Sequence, residues 1–131
     1  MPASPVLADS SYYIRLLRQG QDPLRALAAA AATRDLAVCG VIRCEVGRAL
    51  RPERVRQRFH AAWDVMINVP TDNRLWQDAE QTLWELDRSG ITIPLTDAVI
   101  GCCARRIGAV VLTYDHHFSH IPGIRATEEL L

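Results

Sequence analysis

Residues Ile91 to Phe118, ITIPLTDAVIGCCARRIGAVVLTYDHHF, decide the fold. An apolar run leads into a helical pattern and then into a second apolar run, with a carboxylate at each junction. Pro94 breaks regular structure, Thr96 can cap a helix by accepting from its free amides, and Asp97 falls in the first turn, where the helix dipole favours negative charge. Val99, Ile100, Cys103 and Ile107 recur at helical spacing, Arg105 and Arg106 load the last turn, and Gly108 offers a stop. Ala109 to Leu112 is short, apolar and β-branched in the middle, which reads as a buried strand ending at Thr113-Tyr114-Asp115. Ligands of an open parallel sheet bind beyond the carboxyl ends of its strands. Asp97 and Asp115 are therefore expected on one edge.

Upstream the chain keeps alternating. Pro5 to Ala8 reads as a strand running into Asp9, with Ser10 and Ser11 as caps of a helix through Arg18, closed by Gly20. Pro23 starts a second helix through the alanine run to Thr33. Leu36 to Val38 reads as a strand, and Gly40 turns into a helix carrying Glu45. Pro52 opens a helix to Trp63, Met66 to Val69 reads as a third strand, and Pro70 stops it. Thr71 or Asp72 then caps a longer helix whose Trp76, Ala79, Leu83 and Leu86 are expected to share one buried face, ended by Ser89-Gly90. A short apolar piece near Ile124 is expected as an edge strand. Strands alternating with helices predict an α/β fold with a mostly parallel sheet.

At 131 residues, 49% of them hydrophobic, the chain is expected to be one domain spanning 1–131 with a core of its own. No apolar run approaches the roughly 20 residues that span a bilayer, and MPASPVLADS lacks a basic region followed by an apolar one, so a cytoplasmic protein with no membrane partner is expected. Cys39, Cys44, Cys102 and Cys103 form no CxxC pair and read as reduced core residues. A zinc site combining them with His116, His117 and His120 fits no familiar spacing. Net charge is zero, which excludes a global attraction to nucleic acid, yet all fifteen basic residues are arginine. Arg48, Arg51, Arg54, Arg56 and Arg58 crowd into eleven positions, either as a solvated helix face or as a phosphate-contacting patch, since guanidinium forks match phosphate oxygens.

Four acids stand out by position. Asp9 follows the first strand, Glu45 lies in the helix after the second, Asp97 opens the central helix, and Asp115 follows the strand after it. Right-handed crossovers bring all four to one sheet edge. Clustered carboxylates repel and raise one another's pKa unless a cation neutralises them. All-oxygen ligands suit a hard cation such as Mg²⁺ or Mn²⁺, one or two ions, and such a site can activate water and stabilise the leaving oxygen of a phosphodiester.

VLADSS near the start, CEVGRAL in the middle and PLTDAVIGCCARRIGAVVLTYDHHFSHIPGI at the end resemble the PIN-domain ribonucleases, and among them the VapC-like toxins of bacterial toxin–antitoxin modules. The resemblance runs over nearly the whole chain and is most specific at its C-terminal segment. It implies a three-layer α/β/α sandwich around a parallel sheet of about five strands. It also implies Mg²⁺- or Mn²⁺-dependent cleavage of RNA by metal-activated water, a homodimer, and a small cognate antitoxin. The family's acids carry over to Asp9, Glu45, Asp97 and Asp115 as metal-binding, catalytic residues. Ser11 and Thr113 match its small hydroxyl positions, and Arg48 is expected beside them as a residue that supports the site or contacts substrate. His116, His117 and His120, close to the site in sequence, are read as surface or supporting residues.

The closest rival is a PIN nuclease of RNA processing with no toxin role, which an adjacent antitoxin gene would separate. A non-catalytic RNA- or protein-binding module is disfavoured because all four acids are present. DSS after the first strand offers no glycine to a pyrophosphate, against a dinucleotide binder. A phosphoaspartyl enzyme with Asp9 as nucleophile would lack the usual lysine.

Overall fold

The computed structural model describes residues 3–130; Met1, Pro2 and Leu131, the ends of the expected 1–131 domain, lie outside them. The chain runs β1 (Val6–Ala8), α1 (Ser10–Arg18), α2 (Pro23–Ala31), β2 (Leu36–Cys39), α3 (Gly40–Gly47), α4 (Glu53–Asp64), β3 (Ile67–Val69), α5 (Asn73–Arg88), α6 (Leu95–Ile107) and β4 (Val110–Leu112). A 3₁₀ turn at His116–His120 and the edge strand β5 (Arg125–Thr127) complete it. The strands lie in the order β3-β2-β1-β4-β5, and every neighbouring pair is parallel. Helices cover the sheet, giving the parallel α/β fold that the alternating sequence predicts and the five-stranded α/β/α sandwich that the resemblance implies.

Strand order sets the position of the site. From β1 the chain moves outward through β2 to β3, then returns to the other side of β1 to lay down β4 and β5. Direction therefore reverses at the β1–β4 pair, where Val6 faces Val110 and Ala8 faces Leu112. The Asp9 amide donates to the Leu112 carbonyl (3.0 Å), so both strands end together. A crevice at such a switch point is where open parallel sheets bind ligands. β1 and β4 are wholly buried, the continuous apolar run expected of strands covered on both faces.

Helix α6 is buried without a break from Ala98 to Ala104, because α5, α3, β4 and the 3₁₀ turn all pack around it. Small residues permit that enclosure. A Cβ at Gly101 would stand 2.5 Å from Ile121 Cδ1, so the glycine leaves room for the Ile121 side chain that follows the 3₁₀ turn. Gly108 ends α6 with φ +65°, the left-handed cap that a Cβ would strain. Across the sheet, Tyr13 of α1 packs on Phe59 and Trp63 of α4, with ring centroids 6.3 and 6.0 Å away. Trp63 Nε1 donates to the Tyr13 hydroxyl (3.2 Å), so this aromatic joint leaves neither polar tip unsatisfied.

Several local expectations change. The cap of α1 is Asp9, whose carboxylate accepts from the Tyr12 amide, and Ser10 and Ser11 lie inside the helix. Thr96 caps nothing: α6 starts at Leu95, and extended Pro94 occupies the cap position without a side-chain bond. Asp72 rather than Thr71 caps α5, accepting from the Leu75 amide at 2.9 Å. Ala79 and Leu86 are buried on α5 as expected and Leu83 packs half-buried against the core, but Trp76 is 45% exposed, and Leu75 takes its place with Thr82 beside it. A helix turns 100° per residue, so a one-residue error in frame moves a side chain off the seam. Three cysteines are buried, but Cys44 is exposed on α3 and is not a core residue.

Candidate active site

The carboxyl edge of the β1–β4 pair collects acids from three elements. Asp9, at the end of β1, is 2% exposed. Its Oδ1 accepts from the Ser11 hydroxyl (2.8 Å) and from the Tyr12 amide (3.2 Å). One side chain thus caps α1 and faces the crevice. The Ser11 hydroxyl lies 3.1 Å from that of Thr113 and also accepts from the Tyr114 amide (3.1 Å). Thr113 in turn accepts from the Asp115 amide at 2.9 Å. The two expected hydroxyl residues therefore lace the ends of β1 and β4 together beneath the acids.

Asp97, in the first turn of α6, keeps 13% of its side chain exposed and accepts from His117 Nδ1 at 2.7 Å. His117 Nδ1 also lies 2.9 Å from Asp115 Oδ1. Asp115 additionally caps the 3₁₀ turn by accepting from the His117 amide at 2.9 Å, which folds the imidazole back over its own cap. Asp97, Asp115 and His117 each offer one ligand atom, and these atoms lie within 4.8 Å of one another. Asp9 and Glu45 stand outside that group. Glu45, half-buried on α3, accepts from the Ser10 hydroxyl at 2.6 Å, which holds it beside the residue that follows Asp9.

Electrostatics reflect this crowding. Burial pushes the Asp9 carboxyl up to about 6; the hydroxyls of Ser11 and Thr113 and the Tyr12 amide pull it back, and the Asp97 charge adds to the rise. Burial also raises Asp97, opposed by the His117 hydrogen bond and reinforced by the charge of Asp115. His117 is raised in turn, first by its bond to Asp97 and then by the charge of Asp115. Carboxyls held above their ordinary range by burial and by one another are poised to gain from a cation. Two carboxylates with one imidazole nitrogen form a donor set that suits a divalent cation.

The sequence reading is met unevenly. Asp97 and Asp115 come together, Asp9 joins them as a charge neighbour, and Glu45 lies at the rim. Arg48 is exposed at the end of α3, and the structure gives it no bond to any of the acids. The zinc site of cysteines and histidines is not assembled: among the described residues the candidate metal group holds one histidine and no cysteine. His117, read from the sequence only as a surface or supporting residue, contacts both Asp97 and Asp115, and Ser10, read only as a cap, bonds Glu45. The only signal for His117 is its place two residues after Asp115, where a capped turn returns the side chain onto the cap.

Fold and site together define an α/β protein with a carboxylate cluster at the switch point of a parallel sheet. The sequence profile of the PIN domain matches residues 6–124, and the chain belongs to that family, a family of nucleases. No curated protein sequence matches the chain. Among solved structures, its fold is similar to VapBC from Salmonella typhimurium bound to DNA (TM-score 0.76, 22% identity, 95% of this chain and 98% of that one). It is also similar to VapBC2 from Rickettsia felis bound to a promoter DNA fragment (TM-score 0.76, 14% identity, covering 94% and 97%). A third similar structure is VapC20 of Mycobacterium tuberculosis, a toxin that cleaves the sarcin–ricin loop (TM-score 0.58, 16% identity, covering 92% and 98%).

Proposed function

We propose that the chain works as one PIN unit in the cytoplasm, as a metal-dependent endoribonuclease and the toxin of a VapBC-like module. Its metal ligands and catalytic residues are then Asp9, Glu45, Asp97 and Asp115, supported by Ser11 and Thr113. The observation that carries this reading is the convergence of Asp97, Asp115 and His117 within 4.8 Å beside buried Asp9, at the switch point of a PIN fold. When bound, Mg²⁺ or Mn²⁺ supplies a Lewis acid that makes water nucleophilic near neutral pH and steadies the leaving oxygen of the phosphodiester.

The chain's own residues do the rest. Asp97 and Asp115 would hold the cation, with Asp9 closing the site from the β1 side. Ser11 and the Tyr12 amide fix the Asp9 carboxylate in one orientation, which removes the reorganisation that a free side chain would need. Ser10 restrains Glu45 in the same way. In the metal-free protein a charged His117 offsets part of the repulsion between Asp97 and Asp115. Arg48 lies outside this set; its exposed side chain is left to the substrate. A small antitoxin blocks the edge when bound, and the toxin works as a homodimer.

Purified protein incubated with total RNA in Mg²⁺ or Mn²⁺ should generate fragments, and EDTA should stop it. Expression alone should arrest growth, and co-expression with the product of the neighbouring gene should restore it. RNA left intact with either metal would refute the nuclease reading. Cleavage in vitro with harmless overexpression would remove the toxin role and leave an RNA-processing nuclease.

A further inference from the structure

A phosphate chain approaching three carboxylates is repelled, so a nuclease with this edge needs positive groups that hold the strand on either side of the bond it cuts. One groove meets that need. An open cavity of about 680 Å³ runs from the acid cluster along α1, lined by Ser11, Arg15, Arg18, Tyr114, Asp115 and His117 among others. The Arg15 guanidinium carbon lies 4.1 Å from the centroid of the Tyr114 ring. Tyr114 is itself stacked on Tyr12, with centroids 5.5 Å apart and planes within 12°. Tyr12 is only 9% exposed, so the platform under Arg15 is anchored in the core.

A guanidinium lying over a ring uses its face and keeps its N–H edge for an anion, with less freedom to lose on binding. Arg18 sits one turn farther along the same helix, exposed and on the same side. At ~1.5 Å of rise per residue, Arg15 and Arg18 stand roughly 9 and 14 Å beyond Asp9 along the α1 axis, within reach of the next nucleotides of a single strand. Among the described residues neither has a carboxylate partner. Arg43, Arg56, Arg58 and Arg106, by contrast, are paired with Asp64, Glu53, Asp22 and Asp72.

We propose that Arg15, stacked on Tyr114, and Arg18 form a phosphate subsite that grips the RNA strand next to the bond being cut. The inference rests on the ribonuclease reading and adds the direction in which the strand leaves the site. Both arginines also lie in the last turn of α1, where they complement the helix dipole. A purely structural role of that kind would leave the salt dependence of RNA binding unchanged, and this separates the two explanations.

The test measures binding rather than cleavage. A fluorescently labelled single-stranded RNA oligonucleotide is titrated with Asp97→Asn protein over a salt series, and log K is plotted against log salt. Each phosphate contact on a single strand contributes a slope of about −0.7. Arg15→Ala/Arg18→Ala in the same background should flatten the slope by roughly 1.4 and weaken binding about tenfold at moderate salt. Arg54→Ala/Arg56→Ala on α4 should leave the slope as it was. Should the double variant fail to fold, the exposed single variants Arg18→Ala and Arg15→Lys replace it; the first should flatten the slope by about half as much, and the second should keep the slope but lose affinity. An unchanged slope in the groove variants, with RNA still bound, overturns the subsite and leaves the ribonuclease reading standing. No binding of RNA by the Asp97→Asn parent at any salt overturns both.

Discussion

The acid edge and the arginine-rich stretch running from the end of α3 into α4 are opposite kinds of charge cluster. Arg48, Arg51, Arg54, Arg56 and Arg58 are crowded in sequence but spread over exposed surface, where Arg56 pairs with Glu53 on its own helix and Arg58 with Asp22. Asp9, Asp97 and Asp115 are far apart in sequence, yet they share one edge, where the charge of Asp115 raises Asp97 and the charge of Asp97 raises buried Asp9. Exposed pairs are worth roughly 0–1 kcal/mol, whereas a buried carboxyl without a counter-ion is costly. Density in the sequence marks solvation here, and convergence in space marks chemistry.

The sharpest contrast lies within α4 itself, between its buried and exposed faces. Trp63 is fully buried and bonded to Tyr13, so Trp63→Ala should cost about 3–5 kcal/mol in a denaturant melt. Arg54→Ala, on the exposed face, should stay within about 0.5 kcal/mol. Equal effects would mean that the charged face is structural after all.

On the acid edge the expected loss is of activity. Asp97→Asn should keep its fold by circular dichroism and lose at least about a hundredfold in metal-dependent RNA cleavage. Arg54→Ala/Arg56→Ala should retain cleavage within a few-fold. Full activity in a folded Asp97→Asn protein would remove that residue from the site.

A third test uses protons. In EDTA, Asp9 holds its proton up to about pH 6 when folded and to about 3.9 when unfolded. The folded state binds the extra proton between those values, so this contribution to stability is present at low pH and is lost as pH rises through the window. Asp97 and His117, both raised, act in the same direction. Asn is an equally good helix cap, so Asp9→Asn should melt higher than the parent at pH 7.5, by up to about 3 kcal/mol. The difference should shrink toward pH 4. A gap that does not depend on pH would assign the effect to packing instead.

The smallest effect is the response to metal. At tenfold over Kd, Mg²⁺ or Mn²⁺ should add roughly 1.4 kcal/mol to the parent, a shift of a few degrees. Asp97→Asn should lose most of this shift, and Arg54→Ala/Arg56→Ala should keep all of it. An equal response in the acid variant would place the cation elsewhere.

Sequence alone was enough for the parallel α/β architecture and for the meeting of Asp97 and Asp115 at one sheet edge. The period of the apolar residues and the Pro, Gly and Asp punctuation are local properties, so they survive without tertiary information. The order of elements then forces the ends of β1 and β4 together through the handedness of crossovers. The frame of α5 was not legible, because whether Trp76 or Leu75 meets the core depends on how the helix docks, and its own pattern allows either. Nor was the part played by His117: its imidazole reaches Asp97 because Asp115 caps a turn that packs against α6. The pairing of Arg15 with Tyr114 is of the same kind, since residues 99 positions apart meet only after β4 has been laid beside β1. Local sequence sets which chemistry is available at the edge; long-range packing sets which of those groups touch, because contact distances are fixed only when the sheet closes.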